Sequence, residues 1–315
     1  MLHVIFLFMI IITGQTATGK TKLALKYAKR YNGEIISCDS RQIYKYLDII
    51  TGKDLDQFQI ALSTTSLIDN IRPIRIIAPV KTNLWLYDVI LPNEYFSSFN
   101  FAQLAKKITD YLIKKGKTPI IVGGTYLYLK HFLYGFNVQV PPNWQLRKAL
   151  EKYPKKLLQN KLKELDPEIE QKMNYSDWQN PRRLVRKLEI YFSSNKSYQS
   201  KKFSYPITHF FGLYFSSKEK LKQAIEKRVE ERLKKGAIAE VKKVLNMGYK
   251  PTDPGLQTIG YRQIIKYLQK QLSLKEAINE WIKEEINYAK RQMTFMKKDK
   301  NITWQSIDDK LLKLN

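Results

Sequence analysis

Short unbroken apolar runs dominate the first part of the chain: Val4 to Ile12, Glu34-Ile-Ile-Ser-Cys38 and Thr118-Pro-Ile-Ile-Val122. Each is bounded by glycine or polar turn residues, the pattern of a strand buried on both faces. Between them, residues 20–31 and 99–115 carry apolar positions at helical spacing, and the second stretch is closed by Gly116. Strand, helix, strand in this order predicts a parallel sheet covered by helices, with ligands gathered at the C-terminal strand edge. From Leu55 to Leu84 the pattern weakens and reads as a poorly specified insertion. From Pro141-Pro142 to about residue 202 the chain turns helical and basic, as a separate lobe would. Residues 218–235, 237–247, 257–270 and 273–298 then read as long helices, the last opened by the capping box Ser273-x-x-Glu276. The expected boundaries are an α/β core over 1–134, an inserted helical lobe over 135–202, and completion of the core over 203–315.

One motif sits directly behind the first apolar run. Gly14-Gln15-Thr16-Ala17-Thr18-Gly19-Lys20-Thr21 fits G-x-x-x-x-G-K-[ST] at every fixed position. Glycines let backbone N–H groups close on an anion, the following helix adds partial positive charge, and Lys20 adds a full one. The Thr21 hydroxyl can ligate Mg²⁺. A di- or triphosphate is therefore the expected ligand, and the motif alone does not choose which. Two further turns should share that edge: Asp39-Ser40-Arg41-Gln42 after the second strand, and Gly123-Gly124-Thr125 after the third. Asp39 in such a place suits a Mg²⁺ ligand, a general base, or a turn-forming residue. The strand at 118–122 ends in glycines rather than an acid, which counts against an ATPase.

Composition narrows the partners. The chain has 315 residues, 43% of them hydrophobic, enough for a real core. A single cysteine, Cys38, excludes an intramolecular disulfide and suits a reducing compartment, and three scattered histidines argue against a His-rich metal site. No apolar stretch reaches the ~18 residues of a membrane span, so the expectation is a cytoplasmic monomer with no membrane contact. Net charge is +26, of which +23 falls after residue 100. That asymmetry makes nucleic acid a candidate partner for the latter part. Lysine outnumbers arginine 43 to 12, as an AT-rich coding sequence would give, so charge alone favours nucleic acid only modestly.

Several blocks occur in a recognisable order. They are the phosphate loop, Ile36-Ser37-Cys38-Asp39-Ser40-x-Gln42-Ile43-Tyr44-Lys45, Asp48-Ile-x-Thr51-x-Lys53 and Val122-Gly123-Gly124-Thr125-x-Leu127-Tyr128-Leu129. Arg183-x-x-Arg186-x-Leu188-Glu189, Ile259-Gly260-Tyr261-Arg262 and Ala289-Lys290-Arg291-Gln292-x-Thr294 follow. From about residue 10 to 304 the chain resembles the tRNA dimethylallyltransferases, in the compact bacterial form. The resemblance implies a P-loop parallel-sheet core with flanking helices and an inserted all-helical tRNA-binding lobe. It also implies a transferase whose loop, Gly14 to Thr21, holds dimethylallyl diphosphate with Mg²⁺ on Thr21. The acceptor would be N6 of adenosine 37 in an anticodon arm of the A36-A37-A38 type.

By the same resemblance Asp39 is the general base and Arg228 contacts the diphosphate. Read alone, Arg228 is merely a cation on a lysine-rich helix. Ser40, Arg41 and Gln42 are implied near the target base, with Thr125 and Arg147 near the RNA. The anticodon arm is implied to lie against Arg182, Arg183, Leu184, Val185 and Arg186, against Gln257, Gly260, Tyr261 and Arg262, and against Lys290, Arg291 and Gln292. Six positions depart from the family pattern: Gln15 for proline, Leu84-Trp85 for a histidine pair, Ala224 for arginine, Phe295 for tryptophan and Asn195 for glycine. The rival readings are a small-molecule kinase and a basic RNA-binding protein with a degenerate loop.

Overall fold

The computed structural model describes residues 8–61, 68–136, 140–193 and 206–308. The chain divides into two compact units, Met1–Phe132 with Ser204–Asn315, and Leu133–Phe203.

In the first unit β1 (Met9–Gly14) runs into α1 (Lys20–Arg30) and β2 (Gly33–Ser37). A short 3-10 turn at Leu55–Gln57 precedes β3 (Gln59–Ala61), β4 (Ile74–Ala78) and β5 (Thr82–Trp85), followed by α2 (Ser98–Lys114), β6 (Thr118–Val122) and α3 (Tyr126–Tyr134). Residues 4–7 of the expected first strand and Asn195 lie outside the described residues. All six residues of β1 are buried, as its unbroken apolar run requires of a central parallel strand. The helix α2 opens with Ser97, whose hydroxyl accepts from Asn100 N while Asn100 returns a bond to Ser97 N.

The second unit holds α4 (Trp144–Leu150), α5 (Lys155–Leu165), α6 (Ile169–Lys172), α7 (Tyr175–Trp178) and α8 (Pro181–Phe192). Its core gathers Leu150, Leu158, Leu162, Ile169, Trp178, Leu184, Val185 and Leu188. The first unit then resumes with β7 (Ile207–Tyr214), α9 (Lys218–Lys234), α10 (Ala237–Asn246), α11 (Tyr261–Leu268), α12 (Leu274–Met296) and β8 (Thr303–Ser306).

The sheet has eight strands in the order β3-β4-β5-β2-β6-β1-β7-β8. From β5 to β8 every pairing is parallel, and β3 and β4 extend the sheet antiparallel beyond β5. The stretch read as an ill-defined insertion thus supplies three strands. Its pattern was weak because β3 is the exposed edge strand and its neighbour β4 is only partly buried, with Ile60 and Ile77 turned to solvent. The Leu84-Trp85 departure has a partner: Trp85 Nε1 donates to Glu34 Oε2 at 2.7 Å, and Asn83 Nδ2 to Glu34 Oε1 at 2.8 Å, which satisfies a buried carboxylate on β2. None of the helices among the described residues is long and apolar enough to cross a membrane.

Because β2, β6 and β1 are parallel neighbours, their C-terminal ends lie side by side. Ser37 pairs with Val122, and Ile12 with the same residue on the other flank. The phosphate loop, the Asp39 turn and the Gly123-Gly124-Thr125 turn are therefore brought to one edge by topology alone.

Candidate active site

The phosphate loop is held from several sides. Gly14 adopts φ +127, where a side chain would collide with the Leu213 backbone of β7. Gln15 N donates to Leu213 O at 2.9 Å, and the Gln15 side chain accepts from Phe215 N at 2.9 Å. That second bond gives a reason for glutamine where the family pattern has proline. Thr18 Oγ1 and Lys20 Nζ both donate to the Gln15 carbonyl. Gln292 on α12 accepts from Thr16 N at 3.1 Å and donates to Gly124 O at 2.9 Å, so it clamps the loop to the neighbouring turn. Arg228 on α9 donates to Thr16 Oγ1.

Asp39 stands just beyond β2. Its Oδ1 accepts from Arg41 N at 2.8 Å, which fixes the turn. Oδ2 has no hydrogen-bond partner among the described residues. Ser40 N donates to Thr125 Oγ1 at 3.1 Å, while Gln42 accepts from Ser37 Oγ at 3.0 Å and donates to Gly52 O at 2.9 Å. Gly123 packs so closely on the Cys38 carbonyl that no Cβ fits, which is why that turn needs glycine. The Tyr288 hydroxyl of α12 shares a hydrogen bond with Thr125. Burial, then the Asp39 charge, push this phenol up to about 12, so it stays protonated beside the acid.

The loop bearing Asp39 is tied down further along. Lys53, with a fully buried side chain, donates to Tyr44 O at 2.7 Å, to Asp48 Oδ1 at 2.6 Å and to Asp88. Glu240 on α10 accepts from the backbone N–H groups of Asp48, Ile49 and Ile50 at 2.7 to 3.1 Å, and from the Tyr261 hydroxyl. A single carboxylate thus satisfies three consecutive backbone donors, a strong charge-assisted anchor.

Lys20 is the most perturbed cation of the loop. Burial, then the Arg228 charge, push it down to about 7, with Asp39 pulling the other way. At pH 8 the free loop is mostly neutral at Lys20, and an incoming phosphate, by restoring the favourable charge, draws a proton back. Binding of inorganic diphosphate at pH 8 is expected to take up about one proton through Lys20. The uptake is read as a dependence of calorimetric heat on buffer ionisation enthalpy, and Lys20→Arg should remove it. Equal uptake by wild type and variant would show that Lys20 is already charged. Stability carries a related sign: the unfolded chain binds this proton up to 10.5, so the free protein gains stability as pH rises from about 7 toward that value.

The other expected RNA contacts divide into exposed and buried groups. Arg182, Arg183, Lys290 and Arg291 are exposed and able to meet phosphates, although Arg183 also lies 3.7 Å from Asp177. In the second unit Glu189, fully buried, accepts from Arg147 Nε at 2.8 Å and Arg147 Nη2 at 2.7 Å, from Arg186, and from Asn143 N. Burial works against this carboxylate, but these bonds hold it below its ordinary range. Arg147 and Arg186 therefore organise the unit as well as facing outward.

Three implied RNA contacts are corrected by burial. Leu184 and Val185 are core residues of the second unit, and Tyr261 is completely enclosed against Glu240. Helical periodicity in α8 and α11 puts these apolar neighbours of the basic positions on the inner face. Gln257 bonds Pro251 O at 2.7 Å, Arg262 pairs with Glu284, and the Gly260 N–H is held by Gln263 at 2.7 Å. Gln292, implied as an RNA contact, is the clamp of the phosphate loop. Glu240 and Tyr288 escaped the sequence reading, and Glu189 was named only within a motif without a role, because each is one polar residue on an ordinary amphipathic helix, with partners 21 to 192 positions away for Glu240.

The sequence profile of the IPP transferase family matches residues 80–299. A tRNA dimethylallyltransferase of Acetivibrio thermocellus is 37% identical over 310 residues, covering 95% of this chain and 92% of its own. That of Aquifex aeolicus is 36% identical over 309 residues, covering 96% and 92%. The crystal structure of the full-length tRNA isopentenylpyrophosphate transferase of Bacillus halodurans matches with a TM-score of 0.64 at 30% identity, covering 95% of this chain and 90% of that one. A eukaryotic dimethylallyltransferase crystallised acting on tRNA has the same fold, with a TM-score of 0.72 at 24% identity, covering 96% of this chain and 74% of that one. The chain belongs to the tRNA dimethylallyltransferase family, the IPP transferases.

Proposed function

We propose that this prenyltransferase moves a dimethylallyl group from dimethylallyl diphosphate to N6 of adenosine 37, beside the tRNA anticodon. One observation carries the chemistry. Asp39, with one carboxylate oxygen held by Arg41 N and the other free, stands within electrostatic reach of Lys20 in a loop built for phosphates. A proton acceptor and a leaving-group cradle thus share one edge of the sheet.

In this reading the adenine leaves its stack so that N6 can reach the site, as enzymes acting on bases require. The N6–C1 bond forms while the C1–O bond breaks, and its electron pair leaves with the diphosphate oxygen. Asp39 accepts the N6 proton through its unbonded oxygen. Lys20, Arg228 and the loop N–H groups stabilise the charge that grows on the leaving diphosphate. Ser40 and Thr125, bonded to each other, and Gln42, held by Ser37 and Gly52, offer polar groups near Asp39 that suit an adenine edge. Thr21, half-buried in the first turn of α1, offers a hard oxygen beside the phosphate position, which fits Mg²⁺. When bound there, the ion would add positive charge next to the leaving group. The exposed Arg182 and Arg183 of the second unit, and Lys290 and Arg291 of the first, suit the phosphates of the anticodon arm.

The test is incorporation of label from dimethylallyl diphosphate into an unmodified tRNA with A36-A37-A38, in the presence of Mg²⁺. Labelled N6-dimethylallyladenosine is expected at position 37. ATP consumption that needs no RNA would establish a small-molecule kinase instead, and RNA binding indifferent to dimethylallyl diphosphate would leave a non-catalytic binder.

A further inference from the structure

Helix α9 places residues 224, 228 and 232 four apart, which puts them on one stripe. Position 224 is alanine and carries no charge. Arg228 reaches the phosphate loop at Thr16. Arg232, one turn further along, is only 4% exposed. Its Nη1 donates to Glu285 Oε1 at 3.2 Å, and that same oxygen also lies 3.4 Å from Trp281 Nε1.

The other end of the guanidinium points elsewhere. Arg232 Nη2 lies 2.7 Å, and Arg228 Nη2 2.8 Å, from the point where a Cβ on Gly52 would stand. The two nitrogens can therefore be no farther apart than the sum of those distances. Gly52, at φ +67, leaves room over its backbone for both. A cleft lined by these two arginines, by Lys234, Lys235 and Gln57, and by the carboxylates of Asp54 and Glu231 opens onto this pair.

Two like charges so close, both partly desolvated, repel. Burial and then Arg228 push Arg232 down to about 10, and the same two causes act on Lys20. Neutralising Glu285 needs one cation and gives no reason to aim it at a second arginine. A multiply charged anion between the two guanidinium forks turns the repulsion into paired, charge-assisted hydrogen bonds.

We propose that Arg232 is a direct contact for the diphosphate of the prenyl donor, acting with Arg228 across the space over Gly52. The proposal rests on the reading of the loop as a diphosphate site. Its test is calorimetric binding of inorganic diphosphate with Mg²⁺ to the full chain, alongside the KM for dimethylallyl diphosphate and the Kd for tRNA. Arg232→Met is expected to raise the diphosphate Kd and the donor KM about tenfold or more, with tRNA affinity within about twofold of wild type. The double variant Arg232→Met with Glu285→Gln removes both members of the ion pair and should remain as weak. Recovery of wild-type diphosphate affinity in that double variant would mean that Arg232 serves only to neutralise Glu285. Arg232→Lys keeps the charge and the pairing but loses the planar fork. It supplies the reading if the methionine variants do not fold, with a several-fold rise in diphosphate Kd expected and no change overturning the proposal. Wild-type protein that neither binds diphosphate nor transfers label would instead remove the prenyltransferase reading itself.

Discussion

Replacing Asp39 by asparagine is expected to slow transfer to tRNA by about 10²- to 10⁴-fold, the range for losing a positioned general base. The amide keeps the size of the carboxylate, and its oxygen can still accept the bond from Arg41 N that shapes the turn. What it loses is the ability to take a proton and the negative charge facing Lys20. The tRNA Kd should stay close to wild type, because no basic RNA contact is altered. Single-turnover transfer of label with saturating donor, together with a gel-shift titration, separates the two effects. Transfer within about threefold of wild type would remove Asp39 from the proton-transfer role.

Gly123→Ala should damage fold and site together. A methyl group at this position would overlap the Cys38 carbonyl, a backbone atom of the neighbouring strand end that has no rotamer to escape into. Relief requires β6 and β2 to part where Cys38 N meets Val122 O at 2.7 Å. The expected cost is about 3 kcal/mol, the upper part of the range for overpacking. For a chain of this size that lowers the melting temperature by roughly 4–5 °C. Because Cys38 immediately precedes Asp39, transfer should fall even at temperatures where the variant is folded. Thermal unfolding by circular dichroism and label transfer at 25 °C are the two measurements. Unchanged melting would show that the turn has slack the packing does not reveal.

The core of the fold was legible because β1, β2 and β6 are short apolar runs whose ends carry glycines and an aspartate, and parallel topology leaves few ways to arrange them. The phosphate loop was legible because its spacing is a backbone requirement. The antiparallel extension was not, since Ile60 and Ile77 face solvent and break the alternation that signals a strand. Nor were β7 and β8, which follow or precede helices with no turn motif to announce them. Among site residues, Asp39 announced itself by its place at a strand end. Gln292 was singled out for a different role, because its bonds to Thr16 and Gly124 span 276 and 168 positions that no local pattern records. Leu184 and Val185 were drawn into an RNA contact by the arginines around them, although their own spacing on the helix marks them as interior.

The clamp by Gln292 also bears on how the protein is made. The phosphate loop leaves the ribosome well before α9, which brings Arg228, and α12, which brings Gln292. Until those helices dock, Thr16 lacks the partners for both its N–H and its hydroxyl. A nascent chain therefore carries the loop without its finished geometry. Competence to bind diphosphate should appear only after α12 has been made and has closed over the loop.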